Sequence, residues 1–123
     1  MKKLRILVAD DHDVVRVGVR ALLERRPDWE VCGEAAGGRE AVEKAKRLKP
    51  DVVVLDANLP ELPGAQATRE ILKRDPQATI IMCSALGQEA LVIESITAGA
   101  KDFIVKPFTP EKVIRVVDHL TRR

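Results

Sequence analysis

Val52-Val53-Val54-Leu55-Asp56 (VVVLD) decides the fold. Four consecutive apolar residues offer water no polar side, so a strand built from them is covered on both faces, as a central strand of a parallel sheet is. The run ends on a carboxylate. On either side of it, short β-branched runs alternate with stretches of helical period. Leu4 to Ala9 (LRILVA) and Trp29 to Ala35 read as strands before it, and Thr79 to Cys83 and Asp102 to Val105 as strands after it. The intervening spacing predicts a helix over Asp13 to Arg26, with Val15, Gly18, Val19, Leu22 and Leu23 as its buried stripe and Pro27 as its stop. Further helices are predicted over Gly38 to Leu48, from the Pro-rich loop Leu59 to Gly64 up to about Asp75, and over Gln88 to Ala98 with Gly99 as the stop. A last one opens with Thr109 as N-cap and Pro110 at its first position, with Val113, Val116, Val117 and Leu120 as its stripe.

Five β-α units with short connections predict a parallel sheet with helices on both faces, because right-handed crossovers place them there. Five units are too few for an eight-stranded barrel. What remains is an open, doubly wound five-stranded sheet of order 2-1-3-4-5, a flavodoxin-like three-layer α/β/α domain over residues 1–123. Its ligand crevice lies at the carboxyl ends of strands one and three, where the winding reverses. In that order the strands carrying Cys32 and Cys83 are roughly 14 Å apart, too far for a disulfide, and both are expected as buried, reduced thiols.

Hydrophobic residues make up 46% and charged residues 33% of the 123, the balance of a folded domain. No apolar run is long enough for a membrane span or a secretory leader, which predicts a cytoplasmic protein with no membrane partner. The net charge is +2 with both signs interspersed, and one Trp, two Phe and no Tyr leave little to stack on bases, so direct nucleic-acid binding is not expected. Arg122-Arg123 reads as a solvated helix terminus.

The unusual polar residues gather at one edge. Strand one ends in Asp10-Asp11, strand three in Asp56, strand four in Ser84 and strand five in Lys106. Singly, each has an ordinary explanation: Asp11 or Asp13 as a helix N-cap, Ser84 as a satisfied hydroxyl, Lys106 as a surface lysine. Together, three carboxylates converging on one crevice repel one another unless a cation is present. Few hard oxygen ligands with open positions suit Mg²⁺, with Mn²⁺ as the alternative, and Lys106 adds a second positive charge.

These residues resemble the CheY-like receiver domains of two-component response regulators over essentially the whole chain. The resemblance is carried by Asp10-Asp11, by Asp56 followed by Leu59-Pro60 and Gly64, by Ser84-Ala85, by Gly99-Ala100, and by Phe103 ahead of Lys106-Pro107-Phe108. The first half (ILVADDHDVVRVGVRALL) is similar to receivers attached to helix-turn-helix transcription factors. The stretch MCSALGQEALVIESITAGAKDFIVKPF is similar to stand-alone chemotaxis regulators.

The resemblance implies a phosphorylation-dependent signalling switch, catalysing only its own phosphorylation and slow dephosphorylation. Asp56 would accept the phosphoryl group from a sensor histidine kinase or a phosphotransfer protein. Asp10, Asp11, Asp56 and the backbone carbonyl of Asn58 would hold Mg²⁺, and Lys106 would pair with the phosphoryl group. Backbone amides after Asp56 and Ser84 are further donors, Ser84 would add its hydroxyl and move toward the phosphoryl group, and Phe103 would then turn inward. Lys106-Pro107 is expected to be cis, and Asn58 and Leu86 to flank the hydrolytic water and set the phosphoryl lifetime. Helix four carries Leu91, Val92, Ile93 and Ile96, more apolar positions than one buried stripe needs. Its face, with strand five and helix five, is the output surface in similar proteins, for a homodimer or for a target. Trp29 begins strand two at the opposite end, so its fluorescence should respond little to metal or phosphate.

Other readings fit less well. A flavin carrier needs a hydroxyl- and glycine-rich loop after strand one, where Asp10-Asp11-His12-Asp13 stands. A phosphatase of the haloacid dehalogenase type needs a second Asp two residues beyond the nucleophile, where Asn58 stands. A degenerate receiver would not keep the full set of Asp10, Asp11, Asp56, Ser84 and Lys106. An excised receiver of a DNA-binding regulator remains an alternative source for the same domain.

Overall fold

The apolar runs and helical stripes condense, in a computed structural model that describes residues 2–121, into ten alternating elements. In order they are β1 (Leu4–Ala9), α1 (Asp13–Leu23), β2 (Trp29–Ala35), α2 (Gly38–Leu48), β3 (Val52–Asp56), α3 (Gly64–Arg74), β4 (Thr79–Ala85), α4 (Glu89–Ala98), β5 (Asp102–Lys106) and α5 (Pro110–Thr121). The five strands form one parallel sheet of order β2-β1-β3-β4-β5. Every residue of β3 is buried. Alternation along the strand divides its side chains between two cores. Val53 and Leu55 join Leu7, Ile80 and Met82 beneath α2 and α3, while Val52 and Val54 join Ile6, Val8, Ile81 and Ile104 beneath α1 and α5.

Several boundaries differ from the sequence reading. Although the predicted helix runs on to Arg26, α1 ends at Leu23, where the predicted stripe ends, and the amides of Arg25 and Arg26 tighten onto Leu22 and Leu23 as the chain approaches Pro27. Val19 and Leu23 are buried, but Gly18 faces solvent instead of the core. β4 continues through Ser84-Ala85 and β5 through Lys106, because the ladder stays in register, Ser84 against Val105 and Ala85 against Lys106. Gln88 stands just ahead of α4 as its N-cap, and α3 stops at Arg74. Cys83 is buried, and burial pushes its thiol up to about 12, whereas Cys32 is only half-buried.

Two glycines have physical tasks. Gly99 closes α4 with a φ of 120°, a conformation that side chains resist. Gly64 donates its amide to the Ala57 carbonyl, and a Cβ there would lie 2.8 Å from the Asp56 carbonyl oxygen. The start of α3 is thereby pressed against the end of β3. Among the described residues no helix is long and apolar enough to cross a membrane. The predicted Arg122-Arg123 terminus lies outside the described residues.

Candidate functional site

Parallel strands end side by side, so β1, β3 and β5 deliver Asp10, Asp56 and Lys106 to one rim of the sheet. Asp10 and Asp56 retain only 4% and 6% of their surface. Lys106 reaches across β4 to both, its Nζ 2.7 Å from Asp10 Oδ2 and 3.2 Å from Asp56 Oδ2. The remaining oxygens are oriented by the backbone: Asp10 Oδ1 accepts the His12 amide at 2.9 Å, and Asp56 Oδ1 accepts the Asn58 amide at 3.0 Å.

Lys106 does not serve the two carboxylates equally. Burial alone would raise the pKa of Asp10, but its hydrogen bond to Lys106 and the His12 amide outweigh that cost and hold it below the ordinary value. Burial raises Asp56, the Asp10 charge adds to it, and the Asn58 amide and Lys106 recover only part, so Asp56 stays above the ordinary value. Burial would depress Lys106, yet its bond to Asp10 and the charge of Asp56 carry it upward. Asp56 is therefore the undercompensated carboxylate of the rim.

Asp11 completes the cluster from a more exposed position. Neither Asp11 nor Asp13 caps α1: the N-cap residue is His12, without a side-chain capping bond, and Asp13 instead pairs with Arg16 at 2.6 Å. One ligand atom each from Asp10, Asp11, His12 and Asp56 lies within 4.8 Å of the others, a spacing able to hold a metal ion. His12 was not among the expected site residues, although its adjacency to Asp10-Asp11 was the available signal. Arg16 was also missed. Its Nη1 donates to the Asp10 carbonyl at 2.7 Å and its Nε to Glu34 Oε1 at 3.0 Å, while Arg20 Nη1 holds Glu34 Oε2 at 2.6 Å.

The other expected residues are distributed around the rim. Ser84 is buried at the end of β4, and Lys106-Pro107 is a cis peptide. Asn58 and Leu86 lie exposed on the loops after β3 and β4. Phe103 is 40% exposed, turned out from the sheet. The amide donors expected after Asp56 and Ser84 are already engaged: Ala57 donates to the Cys83 carbonyl at 2.8 Å, and Ala85 to Gln88 Oε1 at 2.7 Å. Trp29 sits at the opposite end of the sheet, paired with Leu4, with the Arg26 guanidinium 4.4 Å from its ring centre.

A doubly wound domain with buried carboxylates and an opposing ammonium at its switch point fits a phosphoryl-accepting signalling switch. The family model of the response regulator receiver domain matches residues 6–118, and the chain belongs to that family. It is 50% identical to the chemotaxis protein CheY of Thermotoga maritima over 118 residues, covering 96% of this chain and 98% of that protein. The signal receiver domain of a putative response regulator NarL from Mycobacterium tuberculosis superposes with a TM-score of 0.91 at 31% identity, each chain fully covered. The CheX-CheY-BeF3-Mg complex of Borrelia burgdorferi contains a chain with a TM-score of 0.91 at 32% identity, covering 99% of this chain and 92% of that one. The likenesses to a chemotaxis protein and to a NarL-type receiver each extend along nearly the whole chain.

Proposed function

We propose that Asp56 is the phosphoryl acceptor of this switch and that residues 1–123 act as one receiver domain in the cytoplasm. The observation that supports this most directly is the charge balance of the rim, where Asp56 is buried, undercompensated and 3.2 Å from the Lys106 ammonium. An Asp56 oxygen attacks the phosphorus of a phosphohistidine on a sensor kinase or phosphotransfer protein. The O–P bond forms as the P–N bond breaks, and the electron pair leaves on the donor imidazole, which takes up a proton.

The donor set fits a hard divalent ion: Asp10, Asp11 and Asp56, with the Asn58 carbonyl, would hold Mg²⁺, or alternatively Mn²⁺, which neutralises phosphoryl oxygens during transfer. The Borrelia complex, with Mg and a fluoroberyllate in a similar fold, supports this reading. Lys106 then turns from Asp56 toward the phosphoryl group, Ser84 contributes its hydroxyl, and the Ala85 amide becomes a donor once Gln88 releases it. Phe103 follows inward into the space left beside Ser84. Asn58 and Leu86 border the approach of the hydrolytic water, with apolar Leu86 restricting it and giving the phosphoryl group an intermediate lifetime. Beyond accepting and slowly losing its own phosphoryl group, the domain performs no catalysis. Ile93, Ile96 and Phe103 expose apolar surface on the face of α4, β5 and α5, which serves a target or a second copy of the chain.

Incubation with acetyl phosphate and Mg²⁺, followed by intact mass, tests the assignment. A gain of one phosphoryl group that is lost in Asp56→Asn is expected, and labelling of the variant to the same extent would overturn it.

A further inference from the structure

We propose that His12 is a ligand to a divalent transition-metal ion at the rim, so that the site takes an imidazole-preferring ion such as Co²⁺ more tightly than Mg²⁺. This rests on the reading of Asp10, Asp11 and Asp56 as metal carboxylates.

The spacing of the donor atoms carries the argument. His12 Nδ1 lies 3.2 Å from Asp10 Oδ1 and 3.2 Å from Asp11 Oδ1. With metal–ligand bonds of roughly 2.1 Å, neighbouring donors stand about 3.0 Å apart in an octahedron and about 3.4 Å apart in a tetrahedron. Both His12 separations fall between those edges. The His12 amide donates to Asp10 Oδ1, which fixes the backbone that carries the imidazole beside the carboxylate it would share an ion with. Lys106 occupies the Oδ2 atoms of Asp10 and Asp56, leaving Asp10 Oδ1 on the side facing His12. The ring makes no capping bond, and the contact of its Nδ1 with the Asp10 and Asp11 oxygens is the one a shared ion would replace. With its proton on Nε2, the imidazole presents a borderline-soft nitrogen, which Mg²⁺ disfavours and later first-row ions prefer. An all-oxygen rim would discriminate less between them.

Calorimetric titration of Mg²⁺ and of Co²⁺ into the full chain, its His12→Gln variant and its His12→Ala variant tests this, with proton NMR of the Co²⁺ forms as a second readout. Co²⁺ should bind more tightly than Mg²⁺ and lose on the order of tenfold or more in both variants, since even an outer partner of a metal ligand is worth that much. Mg²⁺ affinity should stay within about twofold across the three proteins, as an ion that disfavours nitrogen predicts. One contact-shifted imidazole signal should appear in the wild type and vanish in the variants, with His119, the chain's other histidine, as internal control. Unchanged Co²⁺ affinity in the variants, or a surviving shifted signal, overturns the inference while leaving Mg²⁺ binding intact. Absence of Mg²⁺ binding in the wild type instead sinks the carboxylate reading and this inference with it.

Discussion

The Nζ of Lys106, at the end of the last strand, stands 3.2 Å from Oδ2 of Asp56, at the end of the central one. β4 lies between their strands, so the contact spans the width of one strand and exists only when both ladders hold their register.

Removing that ammonium leaves Asp10 and Asp56 buried with no opposing charge. Lys106→Ala should cost roughly 2 kcal/mol in urea unfolding without divalent ions, below the ~3–5 kcal/mol of a fully buried pair because Lys106 keeps some water contact. Mg²⁺ should restore more stability to the variant than it adds to the wild type. Equal Mg²⁺ gains in both proteins would count against the charge balance described here.

Asp56 behaves oppositely. Its folded-state pKa lies above the ordinary value, so the folded protein holds the proton more tightly than the unfolded chain does. The stability this gives is complete below the unfolded pKa and is lost as pH rises through the raised folded one. Asp56→Asn should therefore stabilise the metal-free protein at pH 7 by about 1 kcal/mol, as relief of a functional-site conflict commonly does. Thermal melts at pH 4 and pH 7 should show the gain growing with pH.

Glu34 has the reverse sign. Its hydrogen bonds to Arg20, first, and to Arg16 hold it below the ordinary carboxylate value against the cost of burial. The resulting stability is present above the unfolded pKa and is lost as pH falls through the depressed folded one. Glu34→Gln should cost about 0.5–1 kcal/mol at pH 7 and little at pH 3, the scale of a partly exposed pair. Because Arg16 also holds the Asp10 carbonyl, the same variant should weaken Mg²⁺ binding modestly.

Gln88 occupies the Ala85 amide, which the proposed phosphorylated state would use as a donor. Its Oε1 accepts the Ala85 amide at 2.7 Å beside Ser84. Gln88→Ala should tighten fluoroberyllate binding, followed by fluorine NMR in Mg²⁺, by about threefold, a fraction of one hydrogen bond's net worth. Weaker binding in the variant would mean that Gln88 assists the site instead of competing with it.

Much of this was legible in the chain itself, and the omissions share a cause. The all-apolar Val52 to Leu55 announced a strand covered on both sides, and the polar residues that ended each strand marked the working edge. Strand ends were underestimated where the ladder continued through small or polar residues: Ser84, Ala85 and Lys106 carry no apolar period, yet their backbone pairing persists. The end of α1 was placed too late, at Arg26, because the sequence pattern takes no account of the tight turn ahead of Pro27, and Gly18 was misplaced because a residue without a side chain fits either face of a helix. His12, Arg16, Glu34 and Gln88 escaped because their roles depend on where a flexible side chain reaches, which spacing along the chain does not encode.

α4 fully buries only Ser95, whose hydroxyl is spent on the Leu91 carbonyl of its own helix. Its apolar residues are half-buried or open to solvent, so little transfer free energy anchors it to the sheet. Backbone amides of α4 should accordingly exchange with deuterium by a low-energy local opening, well before those of β1 and β3. A weakly anchored segment beside the rim would let a modest electrostatic event there redistribute the ensemble while the central strands stay in place.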